Sequence, residues 1–304
     1  MTAKSSSPPA VSILGGGGLM GHGIALAFLQ GGFGVTIVSR RRESVERGLQ
    51  LIQDGPFGLN RAVERGKLTV EQSEQLMRNV HGTTDYAEGL ANSAAVFESV
   101  PEVVPVKLEA LRAAERNAPA DAVLASNTSA IMISELSAAL DEPGRLIGTH
   151  WFYPANVLPL VEVAPSERTT PATTATILDL LGGIGKRCVV VHDGPGFFMT
   201  RFINLFIAEA IRLVELGVAT IDDVDEMVKT GLGWRMGVFE LLDDTASFDS
   251  WYHAQEYLFQ HCGDRYAVPA LARRAFEAGF RGAPALKPGS RGGWYEFLGV
   301  QRGH

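Results

Sequence analysis

The sequence predicts an α/β chain: a doubly wound, mostly parallel sheet over roughly the first two thirds, then an all-α domain. Three observations carry this. A short apolar run, Val11 to Leu14, enters four glycines and then an amphipathic segment, as when a strand turns tightly into a helix. Apolar runs of strand length alternate with helically spaced segments up to about residue 191. Beyond the turn-forming cluster His192-Asp193-Gly194-Pro195-Gly196 only helical spacing remains.

Taken in order, a strand over 11–14 leads to a helix over 24–30, and Gly34-Val35-Thr36-Ile37-Val38-Ser39 reads as the second strand of a βαβ unit. The charged stretch 41–65 has Val45, Leu49, Leu51 and Ile52 at helical spacing, and a further helix is expected over 69–77. Strands follow at 79–82 and 94–98, a helix at 105–118 and a buried strand at 122–126. Apolar runs 145–151 and 158–163 bracket a turn with Pro154 and Pro159, and 189–191 closes the series. Helices are expected over 197–216, 221–230, 238–259 and 268–278. The domain expectation is a disordered Ser/Pro-rich tail over 1–10, a nucleotide-binding domain over 11–193 and a helical domain over 194–304. The helix over 197–216 is apolar around most of its circumference, so it is either wholly central to its domain or buried in a homodimer interface.

Composition narrows the class. The 304 residues are 46 % hydrophobic with a formal charge of −7, which argues against nucleic acid as a partner and for a small-molecule substrate. No run is long enough to span a membrane, and a cytoplasmic enzyme is expected. Cys188 and Cys262 form neither a disulfide framework nor a metal or redox pair, so no metal is expected.

Gly16, Gly18 and Gly21 have the G-x-G-x-x-G spacing, which places a pyrophosphate against the N–H groups that open the helix, those of Leu19 and Met20 included. At the end of the second strand, where NAD enzymes commonly carry an acid, stands Ser39-Arg40-Arg41-Arg42. A serine with arginines suits a 2′-phosphate, so NADP(H) is favoured over NAD(H). The alternative is a solvated helix start in which Glu43 pairs with one arginine. Basic residues Arg61, Arg65 and Lys67 suit either the phosphates of a long carrier or ordinary solvation.

The chemistry falls to polar residues at strand ends. Glu162, expensive to bury alone, reaches His150 if the two runs are neighbours, which gives an imidazole base fixed in one tautomer. Singly, each residue also has an ordinary structural reading. Ser126-Asn127-Thr128-Ser129 supplies donors for a carbonyl or alkoxide oxygen, or caps the following helix.

Together, Gly16-Gly17-Gly18-Leu19-Met20-Gly21, Ala125-Ser126-Asn127-Thr128-Ser129, Gly148-Thr149-His150, Leu160-Val161-Glu162-Val163, Asp193-Gly194-Pro195-Gly196-Phe197 and Gly231-Leu232-Gly233-Trp234-Arg235-Met236-Gly237 resemble the L-3-hydroxyacyl-CoA dehydrogenase family. Gly292-Gly293-Trp294-Tyr295 resembles its closing motif. The resemblance implies a Rossmann domain with a helical dimerisation domain, and NAD(P)-dependent interconversion of a 3-hydroxyacyl thioester and its 3-oxo form. It implies His150 as general acid/base, Glu162 as its orienting partner, and Ser126 as donor to the reacting oxygen. Glu102 and Lys107, in the segment from Glu98 to Lys107, would touch the nicotinamide ribose.

Tyr153 and Thr200 stand where the family usually has asparagines, near the cofactor and among the catalytic residues respectively, and Arg235 and Val238 where it has prolines. A standard β-oxidation role therefore gives way to a specialised substrate carried on CoA or an acyl-carrier protein. A free 3-hydroxy acid dehydrogenase and a non-catalytic dinucleotide-binding protein are the alternatives.

Overall fold

The structure is a computed structural model describing residues 10–287 and 289–302. The tail expected over 1–10 lies outside the described residues except for Ala10. The chain divides into two units, residues 1–194 and 195–304.

In the first unit, β1 (Ala10–Leu14), α1 (Leu19–Gln30) and β2 (Gly34–Val38) form the opening βαβ. The helices α2 (Arg42–Asp54), α3 (Leu59–Glu64) and α4 (Val70–Arg78) lead to β3 (Val80–Thr83), then α5 (Tyr86–Leu90), β4 (Ser93–Glu98) and α6 (Val104–Asn117). The unit finishes with β5 (Val123–Ser126), α7 (Ile133–Ser137), β6 (Leu146–Trp151), β7 (Leu160–Ala164), α8 (Pro171–Gly183) and β8 (Arg187–Val190). The sheet order is β3-β2-β1-β4-β5-β6-β7-β8. All neighbours run parallel except β6 and β7.

Helices cover both faces of the central strands, so those strands are buried on both sides and largely apolar rather than alternating. Val11, Ile13 and Leu14 of β1 have no exposure, and Phe28 of α1 packs on Phe97 of β4 with ring centroids 4.8 Å apart. The chain order reverses direction across the sheet between β1 and β4, and ligands of such sheets bind at strand carboxyl ends beside that switch. Two glycines make the crossing there. Gly15 has φ +80° and a methyl on it would lie 2.5 Å from the Ser99 carbonyl oxygen; one on Gly21 would lie 2.4 Å from that of Gly15.

The expected helical stretch over 41–65 is two helices, because Gly55 is extended at φ −61°, ψ 169° and ends α2. The helix α8 was not anticipated. Its apolar residues lack strong polar contrast, although Thr170, which accepts from Thr173 N–H, and Pro171 at the first position are ordinary start signals. The short α7 is held from afar by Asp193, whose two carboxylate oxygens accept from Ile133 and Ser134 N–H at 2.8 Å each.

The second unit contains α9 (Met199–Glu215), α10 (Ile221–Leu232), α11 (Val238–Asp244), α12 (Phe248–Cys262), α13 (Ala270–Glu277) and α14 (Trp294–Leu298). The single helix expected over 238–259 is broken at Ala246, which takes φ +49°. Aromatic rings fill the core: Phe248 lies 4.9 Å from Trp294, and Tyr252 stacks on Phe276 at 3.9 Å. Buried carboxylates seat the short helices. Asp225 accepts from Phe239 and Glu240 N–H, and Asp243 from Trp294 N–H.

On α9, Ile207, Ala208 and Ile211 are buried while Phe198, just before it, and Phe202 are 60 % and 56 % exposed. The helix is thus not wholly central to its unit. Among the described residues no helix is long and apolar enough to cross a membrane.

Gly21→Ala is expected to lower stability by about 1–3 kcal/mol, because the methyl meets backbone that cannot rotate away. Urea unfolding measures it, and an unchanged midpoint would show that the turn yields.

Candidate active site

The glycine turn opens α1 at Gly18, which is exposed and leaves the first turn without a side-chain cap. The N–H groups of Leu19 and Met20 belong to that uncapped turn, so an anion finds donors and the positive helix end together. Sequence reasoning passed over His22, which is 4 % exposed with Nδ1 2.8 Å from the Gly18 carbonyl oxygen. Burial pulls its pKa below the ordinary range, and the helical register placing residue 22 one turn after Gly18 was its only signal.

At the carboxyl end of β2, Ser39 is 7 % exposed and its hydroxyl has no hydrogen-bond partner among the described residues. An orphaned buried hydroxyl here fits a ligand group. Arg40 does not pair with Glu43: its guanidinium lies 3.2 Å from Glu109, on α6, with both side chains well exposed. Arg42 pairs with Glu46 one helical turn on, and Arg41, the exposed N-cap of α2, makes no ion pair among the described residues.

The carboxyl ends of β4 and β5 hold a buried polar cluster. Lys107 has no exposure; its Nζ lies 2.9 Å from Glu98 Oε1, 3.1 Å from Glu102 Oε2 and 2.9 Å from the Asn127 carbonyl oxygen. Burial pulls Lys107 down, but the two carboxylates outweigh it and hold the ammonium above its ordinary pKa. Burial pushes Glu98 up against the opposing pull of Lys107. In Glu102 the same burial is outweighed by Lys107, Thr128 and two backbone N–H groups, so its carboxyl stays below the usual range. The ammonium's donors are thus engaged by Glu98, Glu102 and the Asn127 carbonyl oxygen inside the protein.

Ser126 is fully buried and donates its one hydroxyl proton to Glu98 Oε2 at 2.6 Å, not to a reacting oxygen as the resemblance implies. Thr128 does not cap α7, which begins five residues later; it donates to Glu102 and accepts from Ile131 N–H. Ser129, in the same run, is half-buried and anchored by its N–H to Glu102 at 2.8 Å. No hydrogen bond of its hydroxyl is found among the described residues.

The antiparallel pairing of β6 and β7 sets His150 directly opposite Glu162. Nδ1 lies 2.6 Å from Glu162 Oε2, with side chains 8 % and 4 % exposed. Such a contact with a carboxylate makes Nδ1–H the donor, and in that tautomer Nε2 carries the ring's lone pair. Phe152 packs against the imidazole at 4.5 Å between ring centroids. Asn127 ties three strand ends together: its N–H donates to the Glu98 carbonyl, its amide to Ser99 Oγ, and its Oδ1 accepts from Trp151 N–H.

Tyr153 is half-buried, edge-on to Phe57 at 5.8 Å, and burial pushes its phenol pKa up, so it stays neutral. Thr200 is buried in the first turn of α9, in the second unit. No cluster of His, Cys, Asp or Glu suited to a metal occurs among the described residues.

Residues 10–194 match the family model described as 3-hydroxyacyl-CoA dehydrogenase, NAD binding domain, and residues 196–290 match its C-terminal domain. The mitochondrial hydroxyacyl-coenzyme A dehydrogenase of Sus scrofa is 32 % identical over 255 residues, 81 % of either chain. FadB2 of M. tuberculosis superimposes with a TM-score of 0.86 at 33 % identity, covering 94 % of this chain and 98 % of that one. The (S)-3-hydroxybutyryl-CoA dehydrogenase PaaH1 of Ralstonia eutropha gives 0.83 at 29 %, covering 92 % and 97 %.

Lys107→Met is expected to cost about 3–5 kcal/mol of stability, since it strands a buried carboxylate. Urea unfolding checks this, and a loss under about 1 kcal/mol would contradict the cluster's role.

Proposed function

This chain belongs to the 3-hydroxyacyl-CoA dehydrogenase family, and from that premise we propose that it interconverts a 3-hydroxyacyl thioester and its 3-oxo form with His150 as the proton-exchanging base. The observation that carries the reading is the buried 2.6 Å contact between His150 and Glu162. A nicotinamide dinucleotide, when bound, supplies the hydride acceptor or donor. The uncapped start of α1 and the orphaned Ser39 hydroxyl fit its pyrophosphate and ribose.

In the oxidative direction His150 Nε2 takes the proton of the 3-hydroxyl, and in the reverse direction it returns it. Glu162, accepting from Nδ1–H, holds the ring in that tautomer and stabilises the imidazolium that forms. Ser129 takes the oxygen-facing role first assigned to Ser126, because the hydroxyl of Ser126 is committed to Glu98. At Tyr153 a phenol on a bulky ring replaces the planar amide of asparagine, so a contact made there differs from the family's usual one. A specialised acyl group is the substrate consistent with that change.

NADP(H) is the preferred cofactor in this reading. Among the described residues the Ser39 hydroxyl has no hydrogen-bond partner and Arg41 no ion pair, and the run that follows β2, Ser39-Arg40-Arg41-Arg42, carries no acid of its own. The protein acts as a homodimer through the second unit, whose exposed apolar residues include Phe198, Phe202, Leu216 and Met227. Sedimentation at micromolar concentration should give twice the chain mass; a fully active monomer would refute the dimer.

His150→Gln should lower kcat by roughly 10²–10⁴-fold while leaving cofactor affinity within a few-fold. Steady-state kinetics with 3-oxoacyl-CoA substrates tests this, and an unchanged kcat would remove the mechanism. Glu162→Gln should cost less, since it removes orientation and charge but not the base.

Wild type should use NADPH over NADH by roughly tenfold or more in kcat/KM, one or two charge-assisted bonds to the 2′-phosphate being sufficient. Ser39→Asp should reverse the order. Equal or better use of NADH by wild type would mean that Arg41 only faces solvent.

A further inference from the structure

The carboxyl ends of β4 and β5 hold more charge than the proposed proton transfer uses. Glu98, Glu102 and Lys107 meet there, two carboxylates against one ammonium. Four contacts fall on the two oxygens of Glu98: Val100 N–H and Lys107 on Oε1, Ser126 O–H and Lys107 on Oε2. Burial raises the Glu98 carboxyl above its ordinary pKa, and these donors oppose that by favouring the ionised form. Glu102 accepts from Lys107, from Thr128 O–H and from the N–H groups of Ser129 and Ala130, which hold it below the usual range. With both carboxylates ionised the cluster carries one net negative charge. Solvent screens it little, since Glu98 and Lys107 are unexposed and the Glu102 side chain is 25 % exposed.

Its place in the sheet gives that charge a target. The Ser99 carbonyl, one residue past β4, abuts the glycine turn so closely that a methyl on Gly15 would lie 2.5 Å from it. With Ser39 on the β2 side of the turn, a dinucleotide bound across the switch would direct the half remote from its adenosine towards the carboxyl ends of β4, β5 and β6. That half ends in nicotinamide, whose ring is cationic when oxidised and neutral when reduced.

We propose that the Glu98–Lys107–Glu102 cluster sets which redox form of the cofactor the protein holds more tightly, its uncompensated negative charge favouring the oxidised, cationic ring. This rests on the cofactor reading above and adds to it a positioning and electrostatic role for residues whose polar atoms are satisfied within the protein. A unit charge acting over several ångströms at an effective dielectric near 20 changes relative affinity on the order of three- to thirty-fold.

The test is the pair of dissociation constants for NADP⁺ and NADPH, and for NAD⁺ and NADH, measured by calorimetry on the full chain. Glu102→Gln, which keeps the shape and removes the charge, should weaken the oxidised form three- to thirty-fold and change the reduced form less than twofold. Glu102→Asp, which keeps the charge, should preserve the wild-type ratio even if both affinities fall. Equal weakening of both forms in Glu102→Gln, or an unaltered ratio, would overturn the inference and leave the cluster a purely structural brace. Failure of wild type to bind any of the four would instead overturn the cofactor reading on which it rests.

Discussion

Lys107 is the tie on which the functional edge of the sheet depends. Its ammonium, without solvent, joins the ends of β4 and β5 to the start of α6 through Glu98, Asn127 and Glu102. Parallel strands end in backbone and side-chain polar groups, and at a ligand cleft these cannot all be capped by water. One fixed positive charge among two carboxylates solves this locally, and the same contacts hold the loop carrying Thr128, Ser129 and Ala130. Replacing Lys107 leaves two carboxylates without their counter-charge, and replacing either carboxylate changes what the ammonium and its neighbours feel, so the group acts as a unit.

The second organising feature is the one reversal of strand direction. Were β7 parallel to β6, Glu162 would not face His150 in register; antiparallel pairing sets them opposite and makes a 2.6 Å contact. The base is thus placed by backbone hydrogen bonding on a rigid sheet rather than by a loop, and the packing of Phe152 on the imidazole further limits its orientation. The glycine turn, Ser39 and the His150 ring all lie at carboxyl ends of strands in one sheet, where the switch in strand order favours a ligand.

How much of this was legible in the sequence follows from the range of each interaction. The glycine turn was readable because its spacing is local and sterically demanding, and the His150–Glu162 pair because two nearby apolar runs each carried a single expensive polar residue. The fate of Lys107 was not, since its partners come from positions 98, 102 and 127 and their convergence exists only after three elements meet. Ser126 and Ser129 are chemically alike three residues apart; only the fold shows that Glu98 claims the first. The pairing of Arg40 with Glu109 spans 69 positions, beyond any helical or strand period. The break at Ala246 went unseen because a single left-handed residue leaves the apolar periodicity on either side intact.

The proposed proton transfer depends on one tautomer of His150: Nδ1–H on Glu162 and Nε2 as the exchanging nitrogen. Nitrogen-15 NMR of histidine-labelled protein, with the signal assigned by its absence in His150→Gln, reads that directly. The neutral ring should show a protonated, pyrrole-type Nδ1 and a pyridine-type Nε2. A pyrrole-type Nε2 paired with a pyridine-type Nδ1 would place the proton on the wrong nitrogen and contradict the mechanism.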